Sequence, residues 1–355
     1  MARACEYDGF VTKGITTSAD PGATGWSIRD PVVRLRLRGN DQSIPLDGRG
    51  PVLVGTSDEC AIRLDAGLAV SRQHASLEHR DGVWALTDLG STNGTRQDGE
   101  DRESFVLAPA MEVEFGRSTV VAESARSVAL WELLRRAIGW HPSKLLDVDS
   151  ALQSVRQLGN LRAALLLLGD GSMSGIARRI HHLILDDDRP FSAHTAKESG
   201  QAAVARARDG VVMFDVDALP SDFAAVLATC RLPSWRVRLV LAARTAKSAV
   251  AVTSKLFSVM SMTIPALAER EVELDRLLLA YASDAAATLG VPATCLRPQD
   301  LGWVRSSGLK NLDEIDEVMT RLVALRNWGV TGGAERLGLT HGALSKYFRR
   351  RKIPT

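Results

Sequence analysis

Cysteine is sparse: Cys5, Cys60, Cys230 and Cys295 are scattered through 355 residues with no Cys-x-x-Cys pair. That spacing argues against a zinc site or a disulfide framework and fits a reducing cytoplasm. Long apolar runs are absent too. None exceeds the six residues of Ala163–Leu168, whereas a membrane helix needs about 20, so no membrane association is expected. The first residues carry Asp and Glu with no apolar stretch, which argues against a signal peptide. Net charge is nearly absent, at +2, and says little about partners as a whole-chain value. Its distribution says more: residues 341–355 hold Lys346, Arg349, Arg350, Arg351 and Lys352 and no acid. A chain of this length with 45% hydrophobic residues is expected to build two or three domains with real cores.

Residues 1–30, rich in Gly, Ser, Thr and Asp, read as a loose leader. Val33, Leu35 and Leu37 then alternate with Arg34, Arg36 and Arg38, which predicts a half-buried strand with its arginines toward solvent. Further strands are expected over 51–54, 61–64, 75–78, 83–86, 112–115 and 119–122, separated by turns such as Asp81-Gly82, Asn93-Gly94 and Asp98-Gly99. Many short strands with no helix between them predict a β-sandwich.

Two loops of this region carry chemistry. Val70–Ala75 reads VSRQHA, and Asp88–Thr95 reads DLGSTNGT. Side by side they would bring a hydroxyl, a guanidinium and an amide to one point, a set that suits phosphate. The plainer alternative is that Ser71, Arg72 and Asn93 only close turns. The Ser-Arg-x-His and Gly-Ser-Thr-Asn-Gly-Thr pair resembles the forkhead-associated (FHA) family, phosphothreonine-reading β-sandwiches, over about Val32 to Glu123. The resemblance implies that Ser71 and Arg72 bind the phosphate, that Asn93 with Thr92 holds the ligand backbone, and that His74 braces the loops. One departure is Gly55-Thr56, where the family often has Gly-Arg. An arginine lost there removes a contact worth roughly 1.5–3 kcal/mol when fully engaged.

After Ser124 the periodicity becomes helical, with Val128, Trp131, Leu134 and Ile138 on one face and a second amphipathic stretch over 142–158. Ala163–Leu168 then reads as a buried strand, followed by a glycine loop over 169–175 and a helix over 176–185. Strand, glycine loop and helix is a layout that cradles nucleotide phosphates, but the lysine that completes such a site is missing. Val211–Asp215 and Val237–Ala242 are further buried strands, which implies a parallel α/β core.

This middle region resembles the AAA+ domain of sigma-54-dependent activators. The carriers are Gly169-Asp170-Gly171 with 176–181, Gly210–Asp215, Ile264–Arg270 and Asn311–Ile315. Against the family pattern, Val216 replaces the catalytic glutamate, Asp313 replaces a nucleotide-sensing arginine, and 190–210 is too short for the sigma-contacting loop. With the lysine gone as well, hydrolysis is expected to be lost. Asp215 and Asp217 are expected to cap a strand end rather than hold magnesium. One helix over 269–289, its buried side marked by Val272, Leu274, Leu277, Leu278, Tyr281 and Ala285, would form a lid.

Residues 332–348 read as helix, glycine turn, helix, with Leu344, Tyr347 and Phe348 packing inward. This leaves Thr340, His341, Gly342, Ser345, Lys346, Arg349 and Arg350 for a DNA groove. The stretch resembles the Fis-type helix-turn-helix that ends the same activator family. The expected fold class is therefore multidomain. An FHA β-sandwich over 31–123 is followed by a linker helix over 124–141 and a degenerate AAA+-like α/β core over 142–265. A helical lid over 266–310 and an all-α helix-turn-helix over 311–355 complete it. The expected function is a cytoplasmic, non-enzymatic DNA-binding transcription regulator without cofactor or metal. Its partners would be DNA, a phosphothreonine protein (a Ser/Thr kinase or its substrate), and a second copy through 313–328 or the core. The alternatives are an active sigma-54 ATPase and a phospho-dependent adaptor that binds no DNA.

Overall fold

A computed structural model describes residues 30–47, 51–158, 163–185, 188–256, 258–292 and 296–353. The expected leader, apart from Asp30, and Cys5 and Cys295 lie outside the described residues. The chain divides after Ala125 into two compact units.

The first unit is all β. Its strands are β1 (Val32–Leu37), β2 (Ser43–Pro45), β3 (Val52–Gly55), β4 (Ile62–Arg63), β5 (Ala75–Arg80) and β6 (Val83–Asp88). β7 (Thr95–Gln97), β8 (Glu100–Asp101), β9 (Ser104–Val106), β10 (Glu112–Phe115) and β11 (Ser118–Ser124) follow. One sheet runs β2-β1-β11-β10-β7-β8 and the other β4-β3-β5-β6-β9. Leu35, Val54, Leu77, Trp84, Leu86, Phe115 and Val120 form the core between them.

The expectation for β1 needs correction. Arg36 is fully buried and Val33 is 40% exposed, with the register shifting between Val32 and Arg34. Glu123 of β11 is the reason. Its two carboxylate oxygens accept from Arg36 Nε and Arg34 Nε, each at 2.7 Å, while Arg36 also donates to the carbonyls of Leu37 and Asn40. A buried guanidinium is tolerable when its donors are satisfied in this way.

The second unit begins with α1 (Ala125–Ile138) and α2 (Leu145–Gln157), joined by the buried bond from Trp131 Nε1 to Asp149 at 3.0 Å. Then come β12 (Ala163–Leu168), α3 (Ser174–Ile184), β13 (Phe191–Ala193), α4 (Gly200–Arg206), β14 (Val211–Asp215) and α5 (Phe223–Cys230). β15 (Arg238–Ala243), α6 (Ala246–Thr253) and β16 (Ser258–Thr263) complete the α/β part. The strands form one parallel sheet ordered β13-β14-β15-β12-β16. β12 is nearly continuous leucine and alanine because both its faces are covered.

The helical end comprises α7 (Leu274–Leu289), α8 (Pro298–Ser306), α9 (Leu312–Arg336) and α10 (His341–Arg351). The helix expected over 269–289 is broken at its start. Arg270 leaves helical geometry and, 4% exposed, donates to the carbonyls of Ala137 and Arg136. That break takes Val272 out of the buried stripe, and it stands 97% exposed. α9 is interrupted at Gly329, whose φ of 66° and ψ of −170° suit glycine alone. The segment over 312–328 turns Ile315, Val318, Met319, Leu322 and Val323 inward, and it packs on α7. The apolar side of this segment, one of the two regions expected to serve self-association, is therefore covered within the chain. No helix among the described residues is long and apolar enough to cross a membrane.

Candidate functional site

The two loops marked in the sequence meet at one end of the sandwich. Buried His74 joins them: Ser71 N–H donates to its Nδ1 at 3.1 Å, and Nε2, the nitrogen left to carry the proton, donates to the Gly94 carbonyl at 3.1 Å. Phe115 closes on the ring edge-on at 5.5 Å. Thr92 N–H donates to Ser71 Oγ at 3.1 Å, and Asn93 Nδ2 donates to the Ala69 carbonyl at 2.8 Å. Ser71 thus keeps a free O–H, and Asn93 keeps its amide oxygen and one N–H for a ligand. Arg72 is exposed, and among the described residues its guanidinium makes no hydrogen bond or ion pair.

Backbone contacts fix where Arg72 stands. Its carbonyl accepts from Thr56 N–H at 3.1 Å, Ser57 N–H at 3.0 Å and Cys60 Sγ at 3.2 Å. Gly55 makes room for this, since a Cβ there would lie 2.2 Å from the same carbonyl oxygen. Gly55 and Cys60 are supporting residues to which the sequence reading gave no such role. The glycine in Gly55-Thr56 was the available signal, whereas nothing marked the cysteine.

Asp88 organises the second loop. Burial raises its pKa, but hydrogen bonds from Thr95 Oγ1, from Ser91 N–H and Oγ, and from Gly90 N–H outweigh that and hold the carboxyl below its ordinary 3.8. The corresponding distances run from 2.6 to 2.8 Å. Ser71, Arg72, Thr92 and Asn93 therefore stand on a braced rim, and together they could seat a phosphate and its adjoining peptide.

The glycine loop of the second unit is held by a carboxylate of the same chain. Asp313, in the first turn of α9, accepts from Ser172 Oγ at 2.8 Å and Met173 N–H at 3.1 Å. A Cβ on Gly175 would lie 2.9 Å from Asp313 Oδ1. A carboxylate thus lies at the start of α3, where backbone N–H groups favour an anion. Two cavities adjoin it: one of 10 Å³, lined by Asp170, Met173, Ile264 and Asn311 among others, and a more open one of 380 Å³ on the other side of Asp313, lined by Ser172, Ser174, Gly175 and Arg321 among others, the second within the ~300–1,000 Å³ of ordinary ligand pockets. Asp215 accepts from Asp217 N–H at 2.9 Å, the expected strand-end cap.

At the C-terminus a short helix over 330–336 leads through Gly338 to α10. Thr340 caps α10 by accepting from Ala343 N–H at 3.2 Å. Leu344 and Phe348 pack on Ala334, with Leu337, Leu339 and Tyr347 around them. His341, Gly342, Lys346, Arg349 and Arg350 are exposed and Ser345 is half-buried. Among the described residues Lys346, Arg349 and Arg350 have no acidic partner.

Comparison with known proteins bears on the first unit. The FHA domain family matches residues 52–116. A 73-residue stretch is 38% identical to the oxoglutarate dehydrogenase inhibitor of Corynebacterium diphtheriae, covering 21% of this chain and 50% of that protein. A 74-residue stretch is 36% identical to the FHA domain-containing protein FhaB of Mycolicibacterium smegmatis, covering 21% and 47%. The chain spans about half the length of the curated relatives it matches. Among solved structures, the FhaA FHA domain, determined with the intracellular domain of a second protein, is 29% identical. It covers 25% of this chain and 96% of its own, with a TM-score of 0.23. A domain from a study of phosphothreonine-dependent FHA interactions is 27% identical over 25% and 93%, with a TM-score of 0.24. The chain carries an FHA domain, followed by an α/β region and a helical C-terminus.

Proposed function

We propose, from this FHA domain as premise, that the chain is a phosphothreonine-reading DNA-binding regulator whose α/β core does no chemistry. The observation that carries the reading is the braced cluster of Ser71, Arg72, Thr92 and Asn93, with the Arg72 guanidinium directed to no partner of its own. A dianionic phosphate would take the guanidinium and the Ser71 hydroxyl, while Asn93 holds the peptide beside it. The partner would be a Ser/Thr kinase or its substrate. DNA binding is supported by the capped helix α10 with Lys346, Arg349 and Arg350 unpaired on its outer side. Two copies would be needed to read a two-fold site.

The silent core is supported by the Asp313 carboxylate in the glycine loop, which would repel a nucleotide phosphate from the same N–H groups. The deciding experiment passes a degenerate phosphothreonine peptide library over the full chain, then measures duplex DNA binding at several salt concentrations. Retention of phosphothreonine peptides but not their unphosphorylated forms, with DNA affinity falling steeply in salt, is the expected outcome. Phosphopeptide binding without DNA binding would make the chain an adaptor, and no retention of either would overturn the proposal.

A further inference from the structure

Helix α8 was grouped in the sequence with a lid; Arg305 pairs with Asp275 of α7, and two further side-chain bonds run to the C-terminal helices. Asp300, fully buried, forms an ion pair with Arg326 of α9, whose Nε donates at 2.9 Å. Trp303 Nε1 donates to the Arg351 carbonyl at the end of α10, at 3.0 Å. These bonds hold α8 beside the last turn of α10 and leave a cleft of 580 Å³ between them.

The cleft is cationic. Lys310, from the turn between α8 and α9, faces it together with Arg350, Arg351 and Lys352, and Glu314 is its one acid. The Glu314 carboxylate accepts the backbone N–H of Lys310 at 3.0 Å, leaving the lysine ammonium uncommitted. Among the described residues the side chains of Lys310, Arg350 and Lys352 have no hydrogen bond or ion pair. Four cations gathered from two separate stretches against one carboxylate make a site for a polyanion.

Resting on the DNA reading of α10, we infer that this cleft grips a backbone phosphate of the strand that borders the groove, with Lys310 as a contact outside the helix-turn-helix. The dimensions favour it. α10 has 11 residues and so runs about 16 Å, whereas a major groove is about 12 Å wide. With the Thr340–Lys346 end at the base edges, the Arg350–Lys352 end overhangs the flanking strand, and Lys310 closes on that phosphate from the other wall. Phosphate contacts of this kind set register and carry no sequence information.

The test is anisotropy titration of the full chain against a mixed-sequence duplex over a range of salt. Lys310→Ala should weaken binding several-fold at low salt and lower the slope of log affinity against log salt by about 0.9. Lys310→Arg should restore both, and Lys197→Ala, at an exposed lysine of the core, should change neither. If Lys310→Ala binds like the unaltered chain while Lys346→Ala is impaired, the cleft is overturned and the reading of α10 stands. If the unaltered chain binds no duplex, the reading of α10 fails and the inference goes with it.

Discussion

Arg72→Ala isolates the phosphate contact from the fold. The backbone carbonyl of residue 72 is what the sandwich holds, through Thr56, Ser57 and Cys60, and truncating the side chain touches none of those bonds. Stability should therefore move by no more than about 0.5 kcal/mol. Binding should respond much more. A hydrogen bond to a charged group contributes about 1.5–3 kcal/mol, and screening at this exposed rim favours the lower half of that range. The expected loss is then about 10- to 50-fold in Kd. With Thr56 at the position where FHA domains often carry a second arginine, that position supplies no guanidinium to compensate. Arg72→Lys keeps the charge but not the planar fork, so it should fall between the two. Calorimetry with a library-selected phosphothreonine peptide, paired with thermal melts of each variant, measures both quantities. Unchanged affinity in Arg72→Ala would refute the site, as would a variant whose binding loss tracks a loss of folding.

Thr56→Arg, placed beside the Arg72 backbone, should tighten phosphopeptide binding by about 1 kcal/mol, or roughly fivefold; an unchanged Kd by the same calorimetry would show that the position does not face the ligand. Asp88 contributes stability that is complete above pH 3.8 and is lost as pH falls through its depressed value. Asp88→Asn should lower stability at neutral pH by about 1.5–3 kcal/mol and remove that acid-side loss, as read by melts at neutral pH and below 3.8; an unaltered pH profile would count against the network. Asp313→Ala should free the glycine loop from α9 and speed hydrogen exchange at Ser172–Ser174, at a cost of about 1–2 kcal/mol. Neither this variant nor the unaltered chain should hydrolyse ATP with magnesium, and turnover by either would overturn the silent core.

What could be read from the sequence was what short-range pattern encodes. Strand alternation, the Asn-Gly and Asp-Gly turns and the leucine run of β12 place their elements within a residue or two. His74 was expected to brace two loops, and its ring spans Ser71 and Gly94. Long-range partners were beyond such a reading. Arg36 looks like any solvent-facing arginine until Glu123, 87 residues on, is set opposite it, and Val272 looks buried until Arg270 leaves the helix to bond the end of α1.

Asp313 shows the same limit in charge rather than burial. Judged by its neighbours in sequence it is a misplaced acid, a negative charge where a nucleotide site wants a positive one. In the fold it reaches Ser172 and Met173, about 140 residues earlier, and stands at a helix start, where an anion is favoured. The first N–H groups of a helix have no acceptor within the helix. An acid at the start of α9 meets that demand and ties the sheet to the helix that leads on to α10. Asp313 thus has a structural use in the core, and Asp313→Ala should loosen the loop and α9 together.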